Sequence, residues 1–81
     1  MDTKKIKNIL IKHLSIKKIY VNKITNHIIV TVISQKFVGI NLIERQKIIY
    51  NPLIKYICTN KIHSLSINAY SLDEWNEKNK I

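Results

Sequence analysis

The chain predicts an α+β domain in which one layer of helices covers one sheet, in the order α-β-β-α-β-α. Three observations carry this. The opening segment places Ile6, Ile9, Leu10 and Leu14 at helical spacing. The run His27–Ile33 is almost uninterrupted apolar and β-branched. The segment Ile62–Ala69 alternates between apolar and polar residues after a long helical stretch.

Each element has its local reasons. Thr3–Leu14 reads as the first helix, with Asp2 or Thr3 to cap its start. Ile19 and Val21 alternate with Lys18 and Tyr20 as in a short strand, and Asn22–Asn26 reads as the turn into His27–Ile33. These two strands form a hairpin, the second covered on at least one face. Gly39 then breaks the pattern, in a place where a helix entry calls for positive φ. Asn41, with Glu44 three residues on, is a helix cap. From Leu42 to Cys58 the positions Leu42, Ile49, Leu53 and Ile57 follow a helical stripe, and Pro52 is expected to kink that helix or to start its second half. In Ile62–Ala69, Leu65, Ile67 and Ala69 share one face while Ser64, Ser66 and Asn68 share the other. A strand that follows a helical crossover is expected to lie parallel to the strand before it. Ser71-Leu72-Asp73-Glu74 reads as a capping box that opens a last short helix, with Trp75 packing back onto the body. Phe37, Tyr50, Leu53 and Trp75 read as core.

A chain of 81 residues makes one domain. It buries only about 60–65% of its unfolded surface. A single cysteine excludes an internal disulfide and suits a reducing cytosol. No apolar run reaches signal-peptide length, so neither export nor a membrane span is expected. The formal charge of +9 invites a polyanion partner. Its lysines are scattered rather than gathered on one stripe, however, and Ile, Lys and Asn are over-used throughout, as in the drift of an AT-rich genome. An enzyme is not expected: no Ser/His/Asp or Cys/His set, HExxH, phosphate-cradling glycine loop or paired carboxylates occur.

His63 stands out among the residues that carry chemistry. It follows the loop Thr59-Asn60-Lys61 at the start of a strand, from which an imidazole can reach solvent and bind iron or zinc. The other reading is a histidine hydrogen-bonded at the top of the core. His27, at the end of the hairpin turn, is either a second ligand or a half-exposed strand residue. Cys58, between Ile57 and Thr59 near a helix end, reads as a small buried hydrophobe. His13 reads as a solvated residue at a helix C-terminus. Arg45 is the only arginine. Its planar fork suits either a structural pairing with a carboxylate or carbonyl, or a contact with a partner.

The set Phe37, Gly39, Arg45, Tyr50 and Leu53, then Ile62-His63-Ser64-Leu65-Ser66-Ile67, then Glu74-Trp75, resembles the BolA family, and within it the short IbaG/YrbA branch. The steps Tyr50-Asn51-Pro52-Leu53 and Ala69-Tyr70 point to that branch. The resemblance spans nearly the whole chain. It implies a type II KH-like fold, a three-stranded mixed sheet with helices packed on one face. It also implies a non-enzymatic protein that pairs with a monothiol glutaredoxin and shares a bridging 2Fe–2S cluster with it and with glutathione. By the resemblance, His63 stands at the family's cluster ligand and His27 in the hairpin region that supplies a second one. Arg45 is then a candidate for gripping glutathione or the partner. Two histidines can replace two thiolates on one iron of such a cluster, so the remaining ligands must come from outside this chain. A homodimer in the partner's absence is left open. The alternative is nucleic-acid binding through the KH-like fold, although a single glycine rules out the GxxG loop by which KH domains clamp a phosphate backbone.

Overall fold

Asp2 starts the first helix by accepting the Lys5 backbone N–H on its side chain, at 2.8 Å. In the computed structural model, which describes residues 2–59, 61–62 and 64–79, this helix (α1) runs from Thr3 to Leu14 and buries Ile6 and Leu10. It stops at Ser15, whose left-handed backbone (φ 55°) turns its N–H back to the Ile11 carbonyl.

Strands β1 (Ile19–Ile24) and β2 (His27–Ile33) pair antiparallel from Ile19↔Val32 to Ile24↔His27. The hairpin is tighter than the sequence reading: Asn22, Lys23 and Ile24 belong to β1 and only Thr25 and Asn26 turn, with Thr25 at φ 55°. A two-residue loop of this hand matches the twist of the strands it joins. Strand β3 (Ser64–Tyr70) lies parallel to β2, from His27↔Ser64 to Ile33↔Tyr70, so the sheet order is β1-β2-β3. The expected parallel crossover is therefore present. His63, placed by the sequence at the start of this strand, lies outside the described residues.

A short 3₁₀ turn at Gln35–Phe37 and Gly39, at φ +79°, deliver the chain to helix α2 (Leu42–Tyr50), which Asn41 caps through the Glu44 N–H at 2.9 Å. Nothing lies within 4 Å of a Cβ added at Gly39, so only the backbone conformation opposes a larger residue there. Gly39→Ala is accordingly expected to cost about 1 kcal/mol, read as a lower midpoint in urea at unchanged slope. Pro52 sits in a 3₁₀ turn (Asn51–Leu53) that splits the helical path, and its second half is α3 (Ile54–Cys58). Ser71 and Glu74 make the expected reciprocal capping box at the head of α4 (Leu72–Lys78).

The core joins Ile6 and Leu10 of α1 to Ile19, Ile28, Val30, Val32 and Ala69 of the sheet, and to Phe37, Ile49, Leu53 and Ile62. The α+β class, the element order and the three-stranded mixed sheet read from the sequence are what is seen. Four residues read as apolar interior sit elsewhere. Leu42 is 66% exposed, because the buried stripe of the helical path is Arg45, Ile49 and Leu53 at steps of four, and Leu42 stands at its exposed first turn. Tyr50, one residue off that stripe, is exposed. Cys58 is exposed too, since the 3₁₀ turn resets the helical phase and α3 fully buries none of its residues. Trp75 is half-buried and outside the core, stacked on Tyr20 (centroids 6.0 Å apart, planes at 24°) and tilted on Tyr70 (5.6 Å, 46°). Tyr20 alternates with the inward Ile19, and Tyr70 with the inward Ala69, so this cluster lies on the face of the sheet opposite the core.

Candidate functional site

His27 is the first residue of β2, and its neighbour Ile28 points into the core. Alternation therefore turns the His27 ring to the outer face, where it is half-buried. The parallel register sets Ser64 opposite it and Ser66 one step further along the same face of β3. Both serines use this placement. The Ser64 hydroxyl bonds His27 Nδ1, and the Ser66 hydroxyl bonds Nε2 at 2.8 Å. Each hydroxyl can donate or accept, so the pair serves either tautomer of the ring. The result is an imidazole held at the hairpin end of the sheet by two groups that can rotate away.

That arrangement suits ligation. A ligating histidine ordinarily binds metal through one ring nitrogen while a hydrogen bond at the other fixes its orientation. Releasing either serine leaves the other to do this. The sequence identified His27 but not its serine partners. Their alternation along Ser64–Asn68 was visible, whereas the register that brings them to His27 depends on how the whole crossover packs. His63 immediately precedes Ser64 in the chain and lies outside the described residues. Among the described residues no three His, Cys, Asp or Glu side chains come together as a metal cage.

Arg45 is occupied within the fold. It is 6% exposed. Its Nε donates to the Ile40 carbonyl at 2.7 Å, and its Nη1 donates to the Ala69 carbonyl at 3.2 Å and to Glu74 Oε1 at 2.5 Å. The guanidinium also lies 5.8 Å from the Phe37 ring centroid. Of the two roles open from the sequence, pairing with a carboxylate and carbonyls is the one seen. Glu74 Oε1 accepts a second bond, from the Ser71 backbone N–H at 2.7 Å. The Arg45 hydrogen bond, then that of Ser71, hold the Glu74 carboxyl at about 2, well below its ordinary 4.5. Through this clamp Arg45 ties the entry of α2 to the end of β3 and the start of α4.

Cys58 and His13 are both exposed. Cys58 is expected to react with an aromatic disulfide reagent in the native protein, at one thiol per chain and without denaturant. A thiol that reacted only after unfolding would contradict its exposure.

No helix among the described residues is long and apolar enough to cross a membrane. The family described as BolA-like protein matches residues 4–74. Acid stress protein IbaG of Escherichia coli K12 is 32% identical over 81 residues, covering 100% of this chain and 96% of that protein. A protein of Buchnera aphidicola subsp. Schizaphis graminum is 49% identical over 80 residues, covering 99% of this chain and 100% of the relative. Among solved structures, a bolA protein homologue from Coxiella burnetii superposes with a TM-score of 0.77 at 26% identity, over 94% of this chain and 97% of that one. The family match over residues 4–74 and the relatives' match along nearly their whole length agree: the chain belongs to the BolA-like protein family.

Proposed function

We propose that this chain is a non-enzymatic partner of a monothiol glutaredoxin and shares a bridging 2Fe–2S cluster with it, for cluster trafficking or sensing in a reducing cytosol. His63 is the principal imidazole ligand and His27 the second, with the glutaredoxin active-site cysteine and glutathione completing the set. The observation that carries this reading is the setting of His27. It stands on the sheet face the core leaves open, its two ring nitrogens on rotatable serine hydroxyls, and one of those serines directly follows His63 in sequence. Family membership supports the partner's identity, and the donor chemistry supports a half-site, because two histidines replace only two of the four thiolates of such a cluster. Arg45 then acts through the fold it clamps rather than by gripping glutathione.

The test is anaerobic size-exclusion chromatography of this chain with cluster-loaded monothiol glutaredoxin and glutathione. The reading expects a one-to-one heterodimer that carries both irons. Co-elution without iron would leave only a metal-free interaction module. Separate elution, with the cluster still on the glutaredoxin, would defeat the proposal and turn attention to nucleic-acid binding, which would weaken steeply with salt.

A further inference from the structure

A sheet ordered β1-β2-β3 has two free edges, and this chain treats them differently. The β1 edge runs beside Lys4 and Lys7 of α1 and carries Lys23 within the strand. Lysines along an edge discourage another strand from pairing with it. Strand β3, Ser64–Tyr70, contains no charged residue at all.

The backbone of β3 shows which groups that edge offers. Tyr70 accepts the Ser34 N–H through its carbonyl at 2.9 Å, on the β2 side, whereas the Ala69 carbonyl faces away and accepts from Arg45. A residue's N–H and C=O point to the same side of a strand, and the side alternates along it. Leu65 and Ile67 therefore direct both backbone groups to the free edge, as Ala69 does. Ala69 O is covered by the Arg45 clamp; among the described residues, Leu65 and Ile67 make no backbone hydrogen bond outside the sheet. Alongside them runs a groove of about 320 Å³ between α2 and β3, lined by Ile43, Gln46, Lys47, Tyr50, Leu65 and Ile67. Ile43 is 68% exposed at its rim.

We propose that the β3 edge at Leu65 and Ile67 captures an extended acidic–apolar segment of a partner protein as a fourth strand. Main-chain bonds to the two residues set the register, as in other strand-addition complexes. Apolar side chains at alternate positions of the incoming strand fall toward the groove. Charge selects the occupant. A second copy of this chain brings another +9, whereas acidic residues meet a chain with 14 Lys and Arg against five Asp and Glu. Lys47 is available on the groove wall, because its pair with Glu44 is a 3.5 Å contact between exposed side chains and holds it weakly. The inference does not depend on the iron–sulfur reading, since the edge is the same whether or not the partner carries a cluster.

The test is amide hydrogen exchange and the ¹⁵N amide spectrum of the full chain titrated with a capped nine-residue peptide in which valine alternates with aspartate, beside the same peptide with lysine for aspartate. The aspartate peptide is expected to shift and protect the Leu65 and Ile67 amides, while Ser66 and Asn68, turned toward β2, change little. The lysine peptide and the Ile43→Glu variant are each expected to bind about tenfold more weakly, and Lys47→Glu about threefold. The proposal is overturned by Leu65 and Ile67 amides left unprotected at millimolar peptide, by protection on β1 instead, or by equal binding of both peptides. Protection that grows with protein concentration in the absence of peptide would also overturn it, since the occupant is then a second copy.

Discussion

Replacing Phe37 by Ala is expected to leave little folded protein at physiological temperature. Phe37 is 1% exposed and is the largest fully buried side chain; it ends the 3₁₀ turn that carries the chain from β2 to α2. Truncating a buried phenylalanine costs about 3–5 kcal/mol through lost transfer energy and the cavity left behind. An 81-residue domain holds only about 4–12 kcal/mol in total. Each kcal/mol moves the melting midpoint of a domain this size by about 4–8 °C, so the variant should melt at least about 12 °C lower in calorimetry. A shift of a few degrees would mean that the site collapses around the smaller side chain and that Phe37 is not the centre of the core.

The next largest effect is expected at Arg45. Arg45→Ala removes three donated hydrogen bonds at once and leaves the Ala69 carbonyl facing a gap in a buried region. Loss of bonds from a buried charged donor, with an acceptor left unsatisfied, costs about 3 kcal/mol. Arg45→Lys keeps the charge but cannot reach Ile40, Ala69 and Glu74 together, so its loss should fall between wild type and Arg45→Ala. The same clamp has a pH signature. The Glu74 carboxyl is held at about 2 in the folded chain against 4.5 ordinarily, so the folded state favours the carboxylate. Its contribution is fully present above pH about 4.5 and is lost as pH falls from there toward about 2. Urea midpoints measured across that window should decline in wild type and decline less in Glu74→Gln. Parallel profiles would show that Arg45 owes its place to the two carbonyls alone.

Much of this fold was legible because local chemistry and long-range packing agree. The Asp2, Asn41 and Ser71 caps, the β-branched run of β2 and the alternation of β3 each act within a few residues, and the structure follows them. The misreadings arose where a local pattern lacked information about its surroundings. Leu42 and Ile49 look like one stripe, but the buried line passes through Arg45, a residue no hydrophobic pattern marks as interior. Its burial becomes explicable only once Ala69 and Glu74, 24 and 29 residues away, join the nearby Ile40 carbonyl in accepting its hydrogen bonds. Cys58 reads as buried because free cysteine behaves as a small hydrophobe and its neighbours Tyr56 and Ile57 are apolar, yet it is exposed at the end of α3, a helix that fully buries none of its residues. Trp75 reads as core in the sequence, yet α4 leaves the end of β3 so that its ring meets Tyr20 and Tyr70 on the other face. In the candidate site, His27 could be named from the sequence, while Ser64 and Ser66 became its partners only through the register of a parallel pair 37 and 39 residues away.

The most direct measurement is visible circular dichroism during anaerobic titration of cluster-loaded monothiol glutaredoxin, with glutathione present, by this chain and by its His63→Ala and His27→Ala variants. A new spectrum is expected that saturates near one-to-one with wild type, is lost with His63→Ala, and is shifted or weakened with His27→Ala. A wild-type titration that leaves the glutaredoxin spectrum unchanged, or a His63→Ala variant that reproduces the wild-type spectrum, would contradict it.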